Sequence, residues 1–435
     1  MDSLLNLFKS KFVKSVLLLA GGAAFAQVLN IVLSPVITRI YSPDEYGILI
    51  LFSALLGMVS SFSSLSYDSS IPIADDDKKA VNVLFLCLII ILLSTSLLTI
   101  VIFFFGDFII RHLDAGTLEE YKYFIPVGFF ATGLYTTLSK WSFRGKDFGN
   151  LAKTKYSQSI IGNTVKISLG LFSFGPIGLI LGRILGESAG SGALVKPLLT
   201  IQKNLLKNIN IKDIIWSAKR YARFPIYTAP TFFLLSVSGQ IPIILIAKIY
   251  GQDVVGLYGL ALSITFLPMT LIGKSIEDVF YGEAASMGKE NPQKIKELSN
   301  KILKKLFMIG LVPLIVLTLC GPFLFSLVFG ENWYDAGVYS RLITIYVFTH
   351  FIFHPISSVF YIFEQQQKPL ILNSINLLLV LIVFGLAYKL SLNSYSAVLI
   401  FSLAKTLVEL LKYILARNMI NNEIRMMSKQ PSSNG

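Results

Sequence analysis

The feature that most constrains the fold is a series of apolar segments, each close to the length that crosses a lipid bilayer. An α-helix rises about 1.5 Å per residue, so roughly 20 apolar residues cross about 30 Å of hydrocarbon. Hydrophobic residues make up 54% of the 435 residues and charged residues only 14%, too little polar surface for a water-soluble protein. We therefore predict an all-α, polytopic membrane protein with about 12 transmembrane helices. The twelve segments are residues 15–37, 47–67, 81–105, 123–143, 156–174, 177–198, 224–247, 254–275, 305–329, 338–362, 369–389 and 395–416.

The distribution of Lys and Arg predicts the orientation of these helices, because cytoplasmic loops of membrane proteins hold an excess of both. With the amino terminus in the cytoplasm, the first segment and the loops after even-numbered helices hold most of these residues. The opposite loops hold few, among them Arg39, Arg111 and Lys122. We therefore expect a multi-pass protein with both termini in the cytoplasm.

An internal repeat predicts how the helices are grouped. The stretch TRIYSPDEYGILIL at 38–51 aligns with AKIYGQDVVGLYGL at 247–260 under a shift of 209 residues, which superposes Tyr, Asp and Gly. Both stretches form the corner between the first and second helix of a half. We expect two pseudo-symmetric six-helix lobes. The expected parts are an amino-terminal segment (1–14), a first lobe (15–198), a basic cytoplasmic linker (199–223), a second lobe (224–416) and a cytoplasmic, disordered tail (417–435).

Proline and glycine residues in the first helix of each lobe suggest where a transport site lies. Pro35 in one lobe, and Gly239 with Pro242 in the other, are expected to interrupt these helices. Broken backbone persists at membrane depth only where it is buried in protein or lines a wet cavity. The alternative, that proline is simply common in membrane helices, stays open.

Lys166 is the deepest cation in the predicted spans and has no carboxylate within one helical turn. An ionisable group at the bilayer centre costs roughly 2.5 to 3.5 kcal/mol, so it needs a partner or a function. Lys166 either faces an anionic substrate or pairs with a carboxylate of another helix.

Two further pairs lie four residues apart, Arg183 with Glu187 and Lys405 with Glu409. Such residues share a helix face, so we favour mutual neutralisation and keep proton coupling by either glutamate as the alternative. Asp68 and Glu277 also coincide under the 209-residue shift and either bind a coupling ion or are solvated.

Other polar groups are less specific. Lys140, Arg144 and Lys274 lie near the inner ends of helices, where such residues commonly reach lipid phosphates. His350 and His354 share a helix face, but neither Cys nor an acidic residue lies nearby as a third ligand, so we expect no metal site. The sequence has no Walker-type nucleotide loop and no evident nucleophile motif, which argues against an ATP-driven pump and against an enzyme.

Three segments are similar to a known family. Residues 238–285 (SGQIPIILIAKIYGQDVVGLYGL and the residues that follow), residues 33–71 (LSPVITRIYSPDEYG onward) and residues 328–337 (VFGENWYDAG) resemble the O-antigen and capsular polysaccharide flippases. This family belongs to the superfamily that also holds the multidrug and toxin extrusion (MATE) transporters. The resemblance implies a MATE-like fold of two six-helix lobes around a central cavity.

The resemblance also implies a function. It is the transfer of an undecaprenyl-pyrophosphate-linked oligosaccharide across the bacterial inner membrane by alternating access, coupled to H⁺ or Na⁺ and without another cofactor. The partners implied are the lipid-linked oligosaccharide, membrane lipids, a polysaccharide polymerase and a chain-length regulator, but no nucleic acid. Many relatives have an acidic residue in the seventh span near Pro242. This sequence has only Gln240 nearby, which questions ion coupling in that span.

A pyrophosphate needs cations, and sugars need polar and aromatic partners. The cationic candidates are Lys166, Arg39, Arg144, Lys274, Lys140 and Arg341. The aromatic and polar candidates are Tyr67, Tyr227, Tyr258, Gln27, Asn30 and Gln240. The ion-coupling candidates are Asp68, Glu277, Glu187 and Glu409.

Two other functions stay open. A small-molecule extruder of the same fold predicts a more apolar and acidic cavity. A membrane-bound polymerase or ligase predicts a large periplasmic loop, whereas the longest outer loop expected here covers residues 106–122.

Overall fold

The computed structural model describes residues 11–112, 116–200, 202–365 and 367–429, and these form helices and short turns without any β-strand. Most of the predicted amino-terminal segment and the last residues of the predicted tail lie outside this part. The chain forms two compact units, residues 1–256 and 257–435.

The first unit holds the elements that form the polar cavity described below. Its helices are α1 (Lys11–Ile40), α2 (Pro43–Ser60), α3 (Asp77–His112), α4 (Phe124–Arg144), α5 (Phe148–Leu171), α6 (Pro176–Ser188), α7 (Ser191–Thr200), α8 (Lys203–Leu206), α9 (Ile211–Arg220), α10 (Ala229–Tyr250) and the start of α11 (Gln252–Thr265). Short helical turns lie at Tyr67–Ile73, Gly116–Tyr121 and Phe224–Thr228. One buried cluster, which includes Ile71, Leu84 and Trp141, packs α3, α4 and the Tyr67–Ile73 turn together.

The second unit contains the rest of α11 and six further helices. They are α12 (Lys274–Met287), α13 (Pro292–Phe329), α14 (Tyr334–Phe353), α15 (Val359–Ile362), α16 (Gln367–Lys389) and α17 (Ser394–Lys429), with short turns at Met269–Gly273, Glu331–Trp333 and His354–Ser358. The core cluster of this unit includes Phe280, Ile295 and Phe360.

Seven helices of the described chain are long and apolar enough to cross a membrane, or eight if the bent pair at 252–265 and 269–287 forms one span. The predicted spans at 123–143, 156–174, 177–198 and 395–416 also coincide with helices of the described chain. In α3 the exposed side chains include Leu93, Leu97, Phe103 and Phe104. Apolar side chains exposed on such long helices face lipid, so the chain is a multi-pass membrane protein.

The repeated corner has a defined structure in both copies. The first corner separates α1 from α2, where the Ser42 hydroxyl accepts a hydrogen bond from the Glu45 amide and the Glu45 carboxylate accepts one from the Ser42 amide. This capping box satisfies two amide groups at the start of α2. The second corner is Gly251, whose φ of +87° ends α10 before Gln252 starts α11.

The two equivalent glycines of the repeat lie against each other. A methyl group on Gly47 would overlap the Gln252 carbonyl, and one on Gly256 would overlap the Pro43 carbonyl. The absence of side chains at both positions therefore lets the first turns of α2 and α11 cross backbone to backbone. Ser236 on α10 also donates a hydrogen bond of 2.7 Å to the Gly57 carbonyl of α2. These contacts place α10 in the first compact unit, although the repeat assigns it to the second lobe; the lobe boundaries stay a prediction.

The expected interruptions at the prolines are not found. Helices α1 and α10 run without a break through Pro35 and Pro242. In α1, proline leaves the Ile31 carbonyl without its amide partner, and the Ser34 hydroxyl donates to that oxygen at 2.7 Å. The freed backbone group is satisfied locally, so the helix continues.

Two other expectations are corrected. Helix α17 continues to Lys429, so residues 417–429 of the predicted disordered tail are helical, because Met419 and Ile420 are buried in the core of the second unit. The predicted Lys405–Glu409 pair does not form in the described chain: the Lys405 ammonium donates to the Asn376 amide oxygen at 2.9 Å, whereas Glu409 contacts Lys412 at 3.1 Å. A glutamate that precedes its lysine is the more favourable order along a helix.

Candidate functional site

The candidate site is a polar cavity of about 340 Å³ inside the first unit, between α1, α5 and α6. Its lining residues are Ala23, Ala26, Gln27 and Asn30 on α1, Lys155, Gln158, Ser159, Gly162, Asn163 and Lys166 on α5, and Gly182, Arg183, Gly186 and Glu187 on α6. The spacings of three and four residues put each group on one face of its helix. Three helices thus direct their polar faces into one space.

Glycines allow α5 and α6 to approach closely beside this cavity. A methyl group on Gly186 would lie 3.1 Å from the Gly162 Cα atom, and one on Gly182 would overlap the side chain of Lys166. Small residues four apart are a common means of packing membrane helices backbone to backbone. Beside this close contact, the longer polar side chains of both helices line the cavity.

A hydrogen-bond network joins α1 to α5. The Asn30 amide oxygen accepts from the Ser159 hydroxyl and from the Asn163 amide, each at 2.7 Å. The Ser159 hydroxyl also lies 3.1 Å from the Ala26 carbonyl. Because Ser159 and Asn163 are buried, these bonds satisfy groups that would otherwise be costly in an apolar surrounding. The network therefore fixes the polar faces of α1 and α5 relative to each other.

The charged groups of the cavity are unbalanced. Arg183 pairs with Glu187 at 2.7 Å, as predicted from their spacing. Lys155 contacts the Gln158 amide oxygen at 3.1 Å and the ring of Tyr135 at 5.0 Å from its centroid. No hydrogen bond or ion pair from the described residues engages the Lys166 ammonium. Three cations and one carboxylate leave a net charge of +2 on the lining.

Tyr41 of the first corner does not line the cavity but forms a hydrogen bond with the backbone of a residue that does. Its hydroxyl donates a hydrogen bond of 2.7 Å to the backbone carbonyl of Lys166. Burial, and then the nearby Glu45 carboxylate, raises the pKa of Tyr41 to about 12, so the hydroxyl keeps its proton and remains a donor at neutral pH. The corner that the repeat identifies is therefore bonded directly to α5 at its deepest cation.

Four of the residues predicted from the sequence line this cavity: Lys166, Gln27, Asn30 and Glu187. The lining residues Lys155, Gln158, Ser159 and Asn163 were not predicted, and Arg183 was expected only to neutralise Glu187. The signal for the missed set is the period of α5, since residues 155, 158, 159, 162, 163 and 166 form one helical stripe.

Other predicted residues of the first unit lie away from the cavity lining. Arg144 contacts the Asp77 carboxylate at 2.8 Å and donates to the Ala74 carbonyl at 2.7 Å, so it holds the Tyr67–Ile73 turn against α3. Tyr67 donates to the Ala218 carbonyl at 2.9 Å, and Asp68 accepts from Ser64 at 2.5 Å. The remaining predicted residues of this unit are Arg39 and Tyr227, which are exposed, and Lys140 and Gln240, which are partly exposed.

The predicted residues of the second unit are Lys274, Glu277, Tyr258, Arg341 and Glu409. Lys274 pairs with Glu277 at 3.2 Å, so a cationic candidate and an ion-coupling candidate neutralise each other. Arg341 donates to the Leu319 carbonyl at 3.2 Å, and Tyr258 is buried against the ring of Tyr339. Substrate and ion roles for these residues, and for those outside the cavity in the first unit, stay predictions.

Comparisons with known proteins agree with this architecture. A family model described as polysaccharide biosynthesis protein matches residues 36–338, more than half of the chain. No curated protein sequence matches. An inward-facing structure of a multidrug resistance MATE family transporter of the MOP superfamily is similar, with a TM-score of 0.71 at 18% identity over 92% of this chain and 96% of that one. An outward-facing structure of such a transporter gives a TM-score of 0.61 at 16% identity, over 96% of this chain and 98% of that one.

A further similar structure is a MOP superfamily transporter from Pyrococcus furiosus, whose binding pocket is described as having reverse polarity that suggests a different function. It gives a TM-score of 0.60 at 16% identity over 94% of this chain and 96% of that one. At such identities the likeness establishes the fold, which is MATE-like and all-α as predicted.

Proposed function

This chain belongs to the polysaccharide biosynthesis protein family, and from that premise we propose that it is a flippase for a lipid-linked oligosaccharide. The substrate is an undecaprenyl-pyrophosphate-linked repeat unit of an O-antigen or capsule. It is moved across the bacterial inner membrane by alternating access, with both termini of the protein in the cytoplasm. The observation that carries the proposal is the net charge of +2 on a polar cavity within an apolar protein.

Positive charge suits the pyrophosphate of such a substrate. Lys166 is the favoured ligand, because no protein group in the described chain engages its ammonium. Arg183 adds a planar group that can bind phosphate oxygens through two parallel hydrogen bonds. Lys155 lies 11 residues before Lys166, about 16 Å along the helix, and so suits a second anionic or polar part of the substrate.

Neutral polar groups suit the sugar. Moving an oligosaccharide through the bilayer removes water from many hydroxyl groups, and each needs a replacement partner. Gln27, Gln158 and Asn163 offer amide donors and acceptors beside the cations. The lipid tail stays in the bilayer, where it needs no site in this cavity.

Glu187 is the favoured ion-coupling residue, because it is the one carboxylate among the described residues that line the cavity. The Glu187 carboxylate lies 2.7 Å from the Arg183 guanidinium, so it competes for Arg183 with any phosphate that enters the cavity. Binding of the anion draws Arg183 away and frees Glu187 to take up H⁺ or Na⁺. Substrate and ion are coupled in this way through one guanidinium group.

A small-molecule extruder is the second candidate, and the similarity to multidrug transporters favours it at the level of the fold. That function predicts an apolar and acidic cavity, whereas this lining has one carboxylate against three cations. The P. furiosus transporter, described with a pocket of reverse polarity, shows that pocket chemistry differs between proteins of this fold. We therefore prefer the anionic, sugar-bearing substrate.

Deletion of the gene tests the proposal. Loss of the flippase should abolish the surface polysaccharide and lead to accumulation of lipid-linked repeat units on the cytoplasmic side. A normal surface polysaccharide with no accumulation would contradict it. Reconstitution of the purified protein in liposomes with a fluorescent pyrophosphate-linked oligosaccharide separates flipping from export of small molecules, which is measured in parallel with a cationic dye.

A further inference from the structure

A cluster of three side chains in the second unit is unrelated to the polar cavity. His350, His354 and Glu409 each offer one ligand atom, and these atoms all lie within 4.8 Å of one another. His350 lies in the last turn of α14, His354 directly follows that helix, and Glu409 lies on α17. From this cluster we propose that the protein has a transition-metal site, for which Zn²⁺ is the best match.

The backbone holds the two histidines in register. The amide of His354 donates to the carbonyl of His350, so helical geometry continues to His354 although α14 ends at Phe353. Residues four apart on a helix lie on the same face. The two imidazole rings are accordingly 4.3 Å apart, centroid to centroid. Two histidines at this spacing are a common zinc-binding pair in helices.

Glu409 supplies the third ligand that the sequence of α14 lacks. Its side chain is only 4% exposed, and its Oε1 atom lies 3.2 Å from His350 Nδ1. Two histidines and one glutamate are an established zinc donor set, in which a water molecule or another group completes a tetrahedron. In a tetrahedral site with zinc bonds of about 2.0 to 2.2 Å, ligand atoms lie about 3.3 to 3.6 Å apart, so any pair near the 4.8 Å limit needs to close by about 1 Å.

Two polar atoms of the cluster lack partners. Among the described residues, His354 Nδ1 and Glu409 Oε2 are buried without a hydrogen bond, and His350 Nδ1 is close only to Glu409 Oε1, at 3.2 Å. Buried polar atoms are nearly always satisfied, and two exceptions in one place require an explanation. A metal ion supplies it, because one ion accepts a lone pair from each of the three residues.

Lys412 is a positive charge next to the proposed metal site. Its ammonium lies 3.1 Å from Glu409 Oε1 and neutralises the carboxylate in the metal-free protein. Metal binding therefore leaves Lys412 on Oε1 and uses the free Oε2, or displaces Lys412. In either case the lysine weakens binding through repulsion, and its removal should strengthen it.

Cobalt binding tests the site, because Co²⁺ replaces Zn²⁺ and absorbs visible light when bound in a tetrahedral site. The full-length protein is purified through a histidine-free tag, treated with a chelator and titrated with Co²⁺, and bound Co²⁺ is then displaced with Zn²⁺. The sequence has three histidines, so His112→Ala is a matched control that removes the one outside the cluster. We expect one Co²⁺ per chain in the wild type and in His112→Ala, and loss of the absorption in His354→Ala and Glu409→Gln.

Two further measurements complete the test. Lys412→Met should bind Co²⁺ about tenfold more tightly, because it removes a like charge next to a dication. Zn²⁺ should raise the melting temperature of the wild type and of His112→Ala but not of Glu409→Gln, whose similar shape preserves the fold. No absorption in the wild type, equal absorption in His354→Ala, or unchanged affinity in Lys412→Met would each overturn the proposal.

Discussion

Lys166→Met is the substitution that tests the candidate site most directly. Methionine retains an unbranched apolar side chain next to Gly182 and removes only the ammonium. Because no described residue forms a hydrogen bond or an ion pair with that ammonium, the substitution leaves no buried partner unsatisfied. We therefore expect normal expression and stability, and a specific loss of substrate binding.

The size of the effect follows from the contact that is lost. At 4 Å and an effective dielectric constant of about 20, two unit charges attract by about 4 kcal/mol, but part of this is offset because both groups leave water. Hydrogen bonds to charged groups contribute about 1.5 to 3 kcal/mol net. The dissociation constant for a pyrophosphate-bearing lipid should thus rise by about 10- to 150-fold.

The assay compares two lysines of the same helix. Binding of undecaprenyl pyrophosphate to the purified protein is measured for Lys166→Met and for Lys153→Met, since Lys153 is exposed and absent from the cavity lining. Both variants lose one positive charge from α5. Equal weakening in the two would indicate only long-range attraction, and unchanged binding in Lys166→Met would refute the role of this lysine.

Three other predictions follow from the structure. Glu187→Gln should bind the anionic lipid more tightly, because Arg183 loses its competitor, and transport in liposomes should lose its dependence on a pH or sodium gradient. Asn163→Leu should lower the free energy of unfolding by about 1 to 3 kcal/mol, since Asn30 loses a buried donor, as thermal unfolding would report. Gly47→Ala should lower the melting temperature through overlap with Gln252, a cost of about 1 to 3 kcal/mol, whereas Gly385→Ala, which meets no atom within 4 Å, should not.

Each of these has an outcome that would contradict it. Transport by Glu187→Gln that still follows the ion gradient would exclude this carboxylate as the coupling group. Unfolding of Asn163→Leu at the wild-type temperature would mean that water replaces the lost bond. Equal melting temperatures for the two glycine variants would show that α2 and α11 separate at low cost.

The sequence predicts the membrane fold well because the length of an apolar segment can be read from consecutive residues, without knowledge of contacts between helices. It also identifies Lys166, since a lone charge in a long apolar run is conspicuous without any knowledge of neighbours. Asn163 and Gln158 are ordinary polar residues, and their role depends on the rotation of α5 about its axis, which the sequence reveals only through the stripe that they share. The pairing of Arg183 with Glu187 is predicted from the sequence, but the position of this pair in the cavity lining is not.

The features that the sequence does not predict depend on contacts between residues whose neighbours the sequence does not reveal. Glu409 lies 55 residues after His354, so no local pattern reveals it as a neighbour of the histidines. Pro35 was expected to break α1, but a serine one position earlier satisfies the freed carbonyl. In both cases the outcome depends on three-dimensional neighbours or side-chain rotamers, which spacing alone does not fix.

The hydrogen bond from Tyr41 to the Lys166 carbonyl makes the first corner a position from which a change in the cavity can be detected. Any displacement of α5 at Lys166 must either move Tyr41 or break that bond. Asp44, three residues along the chain, is exposed and thus open to labelling. A fluorophore at that position should report the arrival of substrate in real time, and the report should fade when Tyr41 is replaced by phenylalanine.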